Sequence, residues 1–261
     1  MRNAGLLLLG PVGLLFAALL CAHAVGDFVL QTDRMARAKR ERFMVLATHV
    51  AIVTALHVIL VLPLIPLRAL PVVIVLGLAH LGLDTLKAAL DRRWTRPLAH
   101  FALDQGLHLA TLVVAWAWLT RLMLRWGATC PTIVQDRDLV ALLTRAALLV
   151  AGFAFVGKGG AAIVRGVLAR FPDIVAKAGG TLERGASRGE TIGILERVLG
   201  LTLVLAAQWS ALGLVFGAKS IARFKELEDR AFTEYYLIGT LASVLVAVFT
   251  GLVLRLLGVV G

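Results

Sequence analysis

The amino-acid sequence predicts an all-α fold, a polytopic bundle of about seven transmembrane helices. Of its 261 residues, 59% are hydrophobic and 16% are charged, whereas soluble domains have roughly 45–50% apolar and about 25% charged residues. The hydrophobic residues also form long runs, and about 20 apolar residues in a helix cross the hydrocarbon core of a bilayer. A water-soluble fold could not bury so much apolar surface.

Seven runs are long enough, or nearly long enough, to cross a membrane. They are Gly5–Leu30, Phe43–Leu67, Leu70–Leu90, Leu98–Leu119, Leu139–Val156, Thr191–Gly217 and Tyr236–Leu257. We expect helices, because open strands would leave backbone groups unpaired in lipid and the runs lack the alternation of a β-barrel. The first run is longer than a signal-peptide core and is not followed by a clear cleavage site, so it is interpreted as a transmembrane helix.

The chain divides into two predicted parts. Residues 1–119 carry four closely connected helices, and residues 120–138 form a connecting loop. Residues 139–261 carry three helices. Between these, residues 157–189 are rich in Gly and in places amphipathic, which is typical of a segment at the membrane surface.

Basic residues are distributed unequally between the two sets of loops. Fourteen Lys and Arg residues lie in the loops after the first, third and fifth runs, and eight lie in the other set. Cytoplasmic loops are enriched in Lys and Arg, so the first set is predicted to be cytoplasmic, with the amino terminus outside and the carboxyl terminus inside. The net charge of +11 is therefore attributed to membrane topology, and no nucleic-acid partner is expected.

Histidine and aspartate form pairs four residues apart in the first part of the chain. The pairs are His23 with Asp27, His80 with Asp84, His100 with Asp104, and Asp104 with His108. Residues at this spacing lie on one face of a helix, so an imidazole nitrogen and a carboxylate oxygen can reach the same metal ion. Counted from the nearest basic loop, several of these residues lie about 10 Å below the cytoplasmic face.

The common depth predicts a metal centre built from several helices. The expected ligands are His23, Asp27, His49, His80, Asp84, His100, Asp104 and His108. Carboxylate and imidazole ligands suit zinc, manganese or iron, so one or two divalent ions are expected, zinc first among them. The alternative is that these groups only hydrogen-bond between helices.

Four residues are predicted to take part in catalysis: Asp27, Asp84, Lys87 and Gln105. A carboxylate that is not fully engaged by metal could act as general base. Lys87 could bind an anionic group of the substrate or extend to the membrane surface. Gln105 could orient a ligand or the substrate.

The motifs resemble a known family. Residues 22–33 read AHAVGDFVLQTD, and residues 80–87 and 104–108 contain His-x3-Asp-x2-Lys and Asp-Gln-x2-His. These segments, with residues 218–224 and 234–240, resemble the bacterial membrane family named domain of unknown function 3307. The His-x3-Asp theme is also similar to that of membrane-bound metal-dependent hydrolases. The resemblance implies a multi-pass protein of the bacterial plasma membrane and no established activity.

These observations predict a metal-dependent membrane hydrolase acting on a lipid or lipid-linked phosphate near the cytoplasmic leaflet, because a metal ion activates water for attack. One alternative is a transporter of metal ions or protons that uses the same cluster as its binding site. A second alternative is a non-catalytic membrane scaffold. The expected partners are membrane lipid and a small-molecule or lipid substrate, and an oligomer is compatible with the sequence.

Overall fold

A computed structural model of the chain describes residues 10–90, 96–125, 135–179 and 188–260. Within these ranges every regular element is helical, so the predicted all-α fold is confirmed. Residues 126–134 of the predicted connecting loop and residues 180–187 of the Gly-rich segment lie outside the described residues.

The helices of the described part follow one another with short connections. They are α1 (Pro11–Val25), α2 (Asp33–Ala38), α3 (Phe43–Val61), α4 (Leu70–Leu90), α5 (Pro97–Arg125), α6 (Arg137–Ala154), α7 (Gly160–Leu168), α8 (Pro172–Lys177), α9 (Arg188–Leu205), α10 (Trp209–Ala222) and α11 (Arg230–Leu256). Two π-helical turns, Gly26–Leu30 and Phe155–Gly159, continue α1 and α6. Three short 3₁₀ turns are Leu62–Leu64, Leu67–Ala69 and Glu226–Glu228.

Six segments of the described chain are long and apolar enough to cross a membrane. They are Pro11–Leu30, Phe43–Leu64, Leu67–Leu90, Pro97–Arg125, Arg137–Leu168 and Arg230–Leu256. These segments correspond to six of the seven predicted runs and are consistent with a multi-pass membrane protein. The remaining run, Thr191–Gly217, is divided between two helices.

The break in this run is a helix C-terminus formed without glycine. The amide of Gln208 donates to the carbonyl of Leu203 at 2.8 Å, and the amide of Ala207 donates to that of Val204 at 3.1 Å. Ala207 has a φ of 55°. This is the pattern of a Schellman motif, in which a left-handed residue ends the helix. The chain therefore turns at residues 206–208 instead of crossing as one helix.

After the turn, α10 runs back alongside α9. The ammonium group of Lys219 in α10 donates to the carboxylate of Glu196 in α9 at 2.7 Å, so residues on either side of the turn are paired. The guanidinium of Arg255 in α11 donates to the carbonyl of Leu205 at 3.0 Å. A carbonyl at the end of α9, which lacks a partner within the helix, is thereby satisfied.

The chain forms two compact units. Unit 1 comprises Met1–Thr95, Ala102–Ala154 and Leu256–Gly261, and unit 2 comprises Arg96–Phe101 and Phe155–Arg255. Helix α6, which belongs to the second predicted part, packs against α1 in unit 1. The units follow packing rather than chain order, and the division at residues 120–138 stays a prediction about the sequence.

Helix α1 lies inside unit 1. Its most apolar window is 67% buried, compared with 22–39% for the other five candidate spans. It packs chiefly against α6 and α3, and Trp116 of α5 donates its indole N–H to the carbonyl of Val12 at 2.8 Å. Polar side chains at the carboxyl end of α1 therefore face the interior of the unit.

In unit 2, α9 and α11 pack closely through small residues. A Cβ atom at Gly200 would lie 3.3 Å from the Cβ of Ala247, and one at Gly251 would lie 2.9 Å from the Cβ of Val204. Small residues allow helix backbones to approach each other in membranes, where dispersion forces and hydrogen bonds hold helices together. This contact places Arg197 of α9 beside Ser243 of α11.

Candidate metal centre

The first acidic group lies on the π-helical turn that follows α1. The turn is closed by the amide of Gln31, which donates to the carbonyl of Gly26 at 3.0 Å. A Cβ atom at Gly26 would lie 2.7 Å from Cγ2 of Val53, so the turn packs directly against α3. The side chain of Asp27 is only 9% exposed. π-helical turns occur frequently at functional sites, and this one carries a buried carboxylate.

Two imidazoles from two other helices meet at this carboxylate. Oδ1 of Asp27 lies 3.3 Å from Nε2 of His49 and 3.6 Å from Nε2 of His80. The two Nε2 atoms are 3.4 Å apart. Neighbouring ligands of a tetrahedral zinc ion with bonds of about 2.0–2.1 Å are separated by roughly 3.3–3.4 Å. The three atoms therefore have the spacing of one face of such a site.

A second carboxylate lies beside the same imidazole pair. Oδ2 of Asp84 is 3.5 Å from Nε2 of His49 and 3.6 Å from Nε2 of His80. The carboxylate is fixed by the ammonium group of Lys39, which donates to Oδ2 at 2.7 Å. His49 is fully buried and also lies against the side-chain amide of Gln31, at 3.0 Å from Nε2.

Two ligand atoms of the cluster have no hydrogen-bond partner. Oδ1 of Asp27 and Nε2 of His108 are both buried and unpaired among the described residues. Nδ1 of His108 lies 2.8 Å from the backbone carbonyl of Asp104 and must donate to it, because a carbonyl only accepts. In a neutral ring Nε2 then carries a lone pair. A histidine whose other nitrogen donates to a backbone carbonyl is arranged as metal-binding histidines are.

Asp104 lies at the end of the cluster contributed by α5. The ammonium group of Lys87 donates to its Oδ2 at 2.5 Å, and the side-chain amide of Gln105 donates to the same atom at 3.0 Å. Oδ1 lies 3.5 Å from Nδ1 of His108. Both residues that the sequence predicted as catalytic partners, Lys87 and Gln105, therefore contact this carboxylate.

The histidine rings connect the two ends of the cluster. The rings of His23 and His108 are stacked with their centroids 5.1 Å apart, and those of His80 and His108 are 4.6 Å apart. Nε2 of His23 is 3.9 Å from Oδ2 of Asp27. The spacing of four residues in α1 and its π-helical turn thus brings this pair within reach of each other.

Seven of the eight predicted ligands fall into three overlapping groups of potential ligand atoms. The groups are His23 with Asp27 and His80, His49 with His80 and Asp84, and Asp84 with Asp104 and His108. Each group has its ligand atoms within 4.8 Å of one another. Because His80 and Asp84 are shared, the groups form one continuous cluster, and we refer to these seven residues as the His/Asp cluster.

Two histidines are not members of these groups. His100 is buried but belongs to unit 2, and its role as a ligand stays a prediction. Nδ1 of His57 lies 2.8 Å from the carbonyl of Val53, so this second histidine is bonded to its own helix. Its Nε2 has no partner among the described residues. His57 therefore resembles His108 in its local arrangement but lies outside the cluster.

The cluster coincides with the part of the chain that matches a known family. Residues 15–135 match the family described as protein of unknown function (DUF3307). The match covers a little less than half of the chain. No curated protein and no solved structure matches the chain. The resemblance seen in the motifs of residues 22–33, 80–87 and 104–108 is thereby confirmed, and DUF3307 brings no activity with it.

Every residue of the His/Asp cluster lies within the DUF3307 region, and so do two further residues that contact the cluster, Lys39 and Gln31. Lys39 was counted as a basic loop residue, yet its side chain is 9% exposed and its ammonium group contacts Asp84. Gln31 follows the π-helical turn and contacts His49. No spacing rule connects Lys39 with a residue 45 positions away, whereas the place of Gln31 beside the acidic positions predicts that it orients a ligand or the substrate.

Proposed function

We propose that the protein is a membrane-embedded hydrolase that uses one or two divalent metal ions, zinc first among them. The observation that carries this proposal is the position of Oδ1 of Asp27. This buried oxygen lies between Nε2 of His49 and Nε2 of His80, at 3.3 and 3.6 Å, and accepts no hydrogen bond. A metal ion bound to all three atoms would satisfy them together and offset the cost of burying the carboxylate.

The balance of charges also favours a cation. Asp84 and Asp104 are buried and the side chain of Asp27 is only 9% exposed, yet among the described residues two ammonium groups contact these three carboxylates, those of Lys39 and Lys87. Four imidazoles add further lone pairs. In a membrane interior such a surplus of acceptors is costly unless a cation binds them.

Two sets of ligands can be assigned within the cluster. Asp27, His49 and His80 would hold the first ion, since their ligand atoms have the spacing described above. Asp104 and His108 could contribute to a second ion, because Asp84 lies in the same group. Nitrogen and oxygen ligands without thiolate fit zinc, and also manganese or iron.

The metal would supply the activated nucleophile. A bound divalent ion lowers the pKa of its water ligand to about 7 and polarises the bond that is attacked. When only the first ion is bound, Asp104 is not a ligand, and with its Oδ2 held by Lys87 and Gln105 its Oδ1 is suited to accept the proton of that water. The side chain of Lys87 is 22% exposed and could also neutralise a phosphate oxygen of the substrate.

The substrate class that fits this position is a lipid or a lipid-linked phosphate. The cluster is built on apolar helices, about 10 Å below the membrane face by the rise per residue. The headgroup and ester region of a lipid reach that depth. We place the protein in the bacterial plasma membrane, with the loop between α1 and α3 in the cytoplasm because it is basic.

The helical hairpin α9–α10 favours a different side for the carboxyl terminus than the sequence count did. Because α10 runs back alongside α9, the four basic residues from Lys219 to Arg230 return to the face where α9 begins. Eighteen basic residues then lie in the cytoplasmic set and four in the other. On this proposal both termini lie outside. The test fuses to the carboxyl terminus a reporter enzyme that is active only in the cytoplasm. Activity of this reporter would contradict the proposed topology.

The metal content of the purified protein tests the hydrolase proposal. The full chain is purified from metal-replete cells, and bound metal is measured for the wild type, His80→Ala and His57→Ala. We expect about one or two equivalents of bound metal per protein in the wild type and in His57→Ala. In His80→Ala we expect the amount of bound metal to fall at least tenfold. His57→Ala is the matched control, since it removes a buried imidazole that is not part of the His/Asp cluster.

Activity is then measured by the release of water-soluble product from lipid phosphates. The same protein in liposomes is tested for metal uptake, which a transporter would show and a hydrolase would not. The proposal fails if the metal-replete wild type holds no stoichiometric metal, or if both histidine variants lose metal equally. Uptake without hydrolysis would establish the transporter in its place.

A further inference from the structure

Unit 2 contains a polar cavity that the hydrolase proposal does not use. The cavity has a volume of about 360 Å³ and is lined by side chains of α7, α9, α10 and α11. Its charged lining residues are Arg165, Glu190, Glu196, Arg197, Lys219 and Arg223. We refer to this feature as the basic cavity, because four of the six charges are positive.

Both acidic residues of the basic cavity are already paired with a cation. The guanidinium of Arg165 donates to Glu190 at 2.6 Å, and the ammonium group of Lys219 donates to Glu196 at 2.7 Å. These contacts balance two of the four positive charges. The guanidinium groups of Arg197 and Arg223 remain as the positive excess of the cavity.

Arg197 is a buried cation held by uncharged groups. The residue is 3% exposed. Its Nε donates to the carbonyl of Val156 at 2.6 Å, Nη2 donates to the carbonyl of Gly157 at 3.0 Å, and Nη1 donates to the hydroxyl of Ser243 at 3.3 Å. Among the described residues, no ion pair joins this guanidinium to a carboxylate. A buried charge that is not in direct contact with a counter-charge is costly, so an anion beside it would be stabilising.

The backbone sets the position of this guanidinium. Val156 and Gly157 belong to the π-helical turn that follows α6, and their carbonyls orient two of its nitrogens. A Cβ atom at Gly160 would lie 2.7 Å from Nε of Arg197, so only glycine leaves room for the side chain. A guanidinium has five N–H donors, of which three are used by these contacts.

The second positive group is more accessible. The side chain of Arg223 is 42% exposed, and its contact with Glu226 is a long one, at 3.8 Å between two exposed groups. Such a pair contributes little and can be exchanged for another anion. Ser243, Thr240 and Tyr236 add hydroxyl groups to the lining.

We propose that the basic cavity binds a phosphate group, carried by a lipid headgroup or present as free phosphate. Two guanidinium groups in a cavity match phosphate, because the planar fork of arginine donates paired hydrogen bonds to its oxygens. The residues involved are distinct from those of the His/Asp cluster. Phosphate binding in the basic cavity can therefore be tested independently of metal binding in unit 1.

The test uses the full chain in detergent and two phosphate-containing probes. Inorganic phosphate is titrated against chloride at equal ionic strength, and phosphatidylglycerol in mixed micelles is compared with diacylglycerol, which lacks phosphate. Binding is followed by tryptophan fluorescence. Saturable binding of inorganic phosphate identifies free phosphate as a ligand, and binding of phosphatidylglycerol alone identifies a lipid headgroup. Either result supports the proposal.

Three variants locate the binding in the cavity. Arg223→Gln is expected to weaken binding roughly tenfold, since it removes one charge-assisted contact. Arg197→Lys keeps the charge but loses the planar fork, and should weaken binding at least as much. Arg230→Gln is the matched control, because Arg230 is 93% exposed and pairs with Glu234 outside the cavity. The proposal is overturned if neither probe binds saturably, or if Arg230→Gln weakens binding as much as Arg223→Gln.

Discussion

Unit 1 and unit 2 each contain a π-helical turn beside a group of buried polar side chains. In unit 1 the turn Gly26–Leu30 carries a carboxylate, Asp27, which faces imidazoles from α3 and α4. In unit 2 the turn Phe155–Gly159 contributes backbone carbonyls, which accept hydrogen bonds from the guanidinium of Arg197. The same local distortion of a helix therefore supports an acceptor-rich cluster in one unit and a donor-rich cavity in the other.

The difference lies in which groups remain unsatisfied. In unit 1 the unpaired atoms are a carboxylate oxygen and an imidazole nitrogen, both able to bind a cation. In unit 2 the excess consists of guanidinium N–H donors, which bind anions. Whether a buried site favours a cation or an anion therefore depends on its unpaired atoms rather than on the shape of the backbone around it. Three predictions would sharpen or break this comparison.

The largest expected effect concerns the ion pair between Lys39 and Asp84. Their side chains are 9% and 1% exposed, so Lys39→Met leaves a buried carboxylate without its cation. In metal-free protein we expect a loss of about 3–5 kcal/mol in the free energy of unfolding. Added zinc should recover much of this loss, because a bound ion replaces the missing charge. Thermal unfolding with zinc and with chelator measures both values.

The matched variant in unit 2 is Arg165→Met. The side chains of this ion pair, Arg165 and Glu190, are 19% and 16% exposed. The expected loss in the free energy of unfolding is therefore only about 1 kcal/mol. Zinc should not change it. Equal rescue of both variants by zinc, or none in Lys39→Met, would contradict the assignment of the cation site to unit 1.

A smaller effect should separate the two π-helical turns. In unit 1, Gly26→Ala places a Cβ atom 2.7 Å from Cγ2 of Val53, and this crowding should cost about 1–3 kcal/mol. In unit 2, a Cβ atom at Gly157 has nothing within 4 Å, so Gly157→Ala should change stability by less than about 0.5 kcal/mol. Chemical unfolding in detergent compares them, and a larger loss for Gly157→Ala would refute the packing argument.

The smallest effect concerns the turn that separates α9 from α10 in unit 2. Ala207 has a φ of 55°, a conformation that costs an alanine roughly 1 kcal/mol and a glycine almost nothing. Ala207→Gly should therefore raise the free energy of unfolding by up to about 1 kcal/mol. Ala206→Gly, with its amide bonded to the carbonyl of Thr202, should lower it by about 0.5–1 kcal/mol. If residues 191–217 formed one continuous helix, both variants would destabilise the protein equally.

Local regularities of the sequence were sufficient to predict much of the fold. Runs of apolar residues predicted helices in six places where the structure has apolar helices of spanning length. The seventh prediction, Thr191–Gly217, overlooked the turn because residues 206–208 are Ala, Ala and Gln, without glycine or proline. Arg255, 50 residues away in the chain, donates to a carbonyl at the end of α9, a contact that no local pattern predicts.

The candidate site was predictable to a similar degree. His80 with Asp84, and Asp104 with His108, are each one helical turn apart, and spacing alone predicted that they share a face. His100 has the same relation to Asp104 and is counted with unit 2, so its role as a ligand stays a prediction. The spacing of residues along the chain gave no indication that Lys39 belongs to the site, although its ammonium group contacts Asp84 at 2.7 Å.

The sequence by itself determined the helical class, the apolar spans and the pairing of imidazoles with carboxylates along single helices, because these depend on composition and on the 3.6-residue period. Only the tertiary structure decided that α1 lies inside unit 1, that α9 and α10 form a hairpin, and that Asp27 lies between His49 and His80. Contacts of this second kind join residues far apart in the chain. They are fixed by which helix faces can pack together and which buried polar groups find partners there, and no periodicity of the sequence records this information.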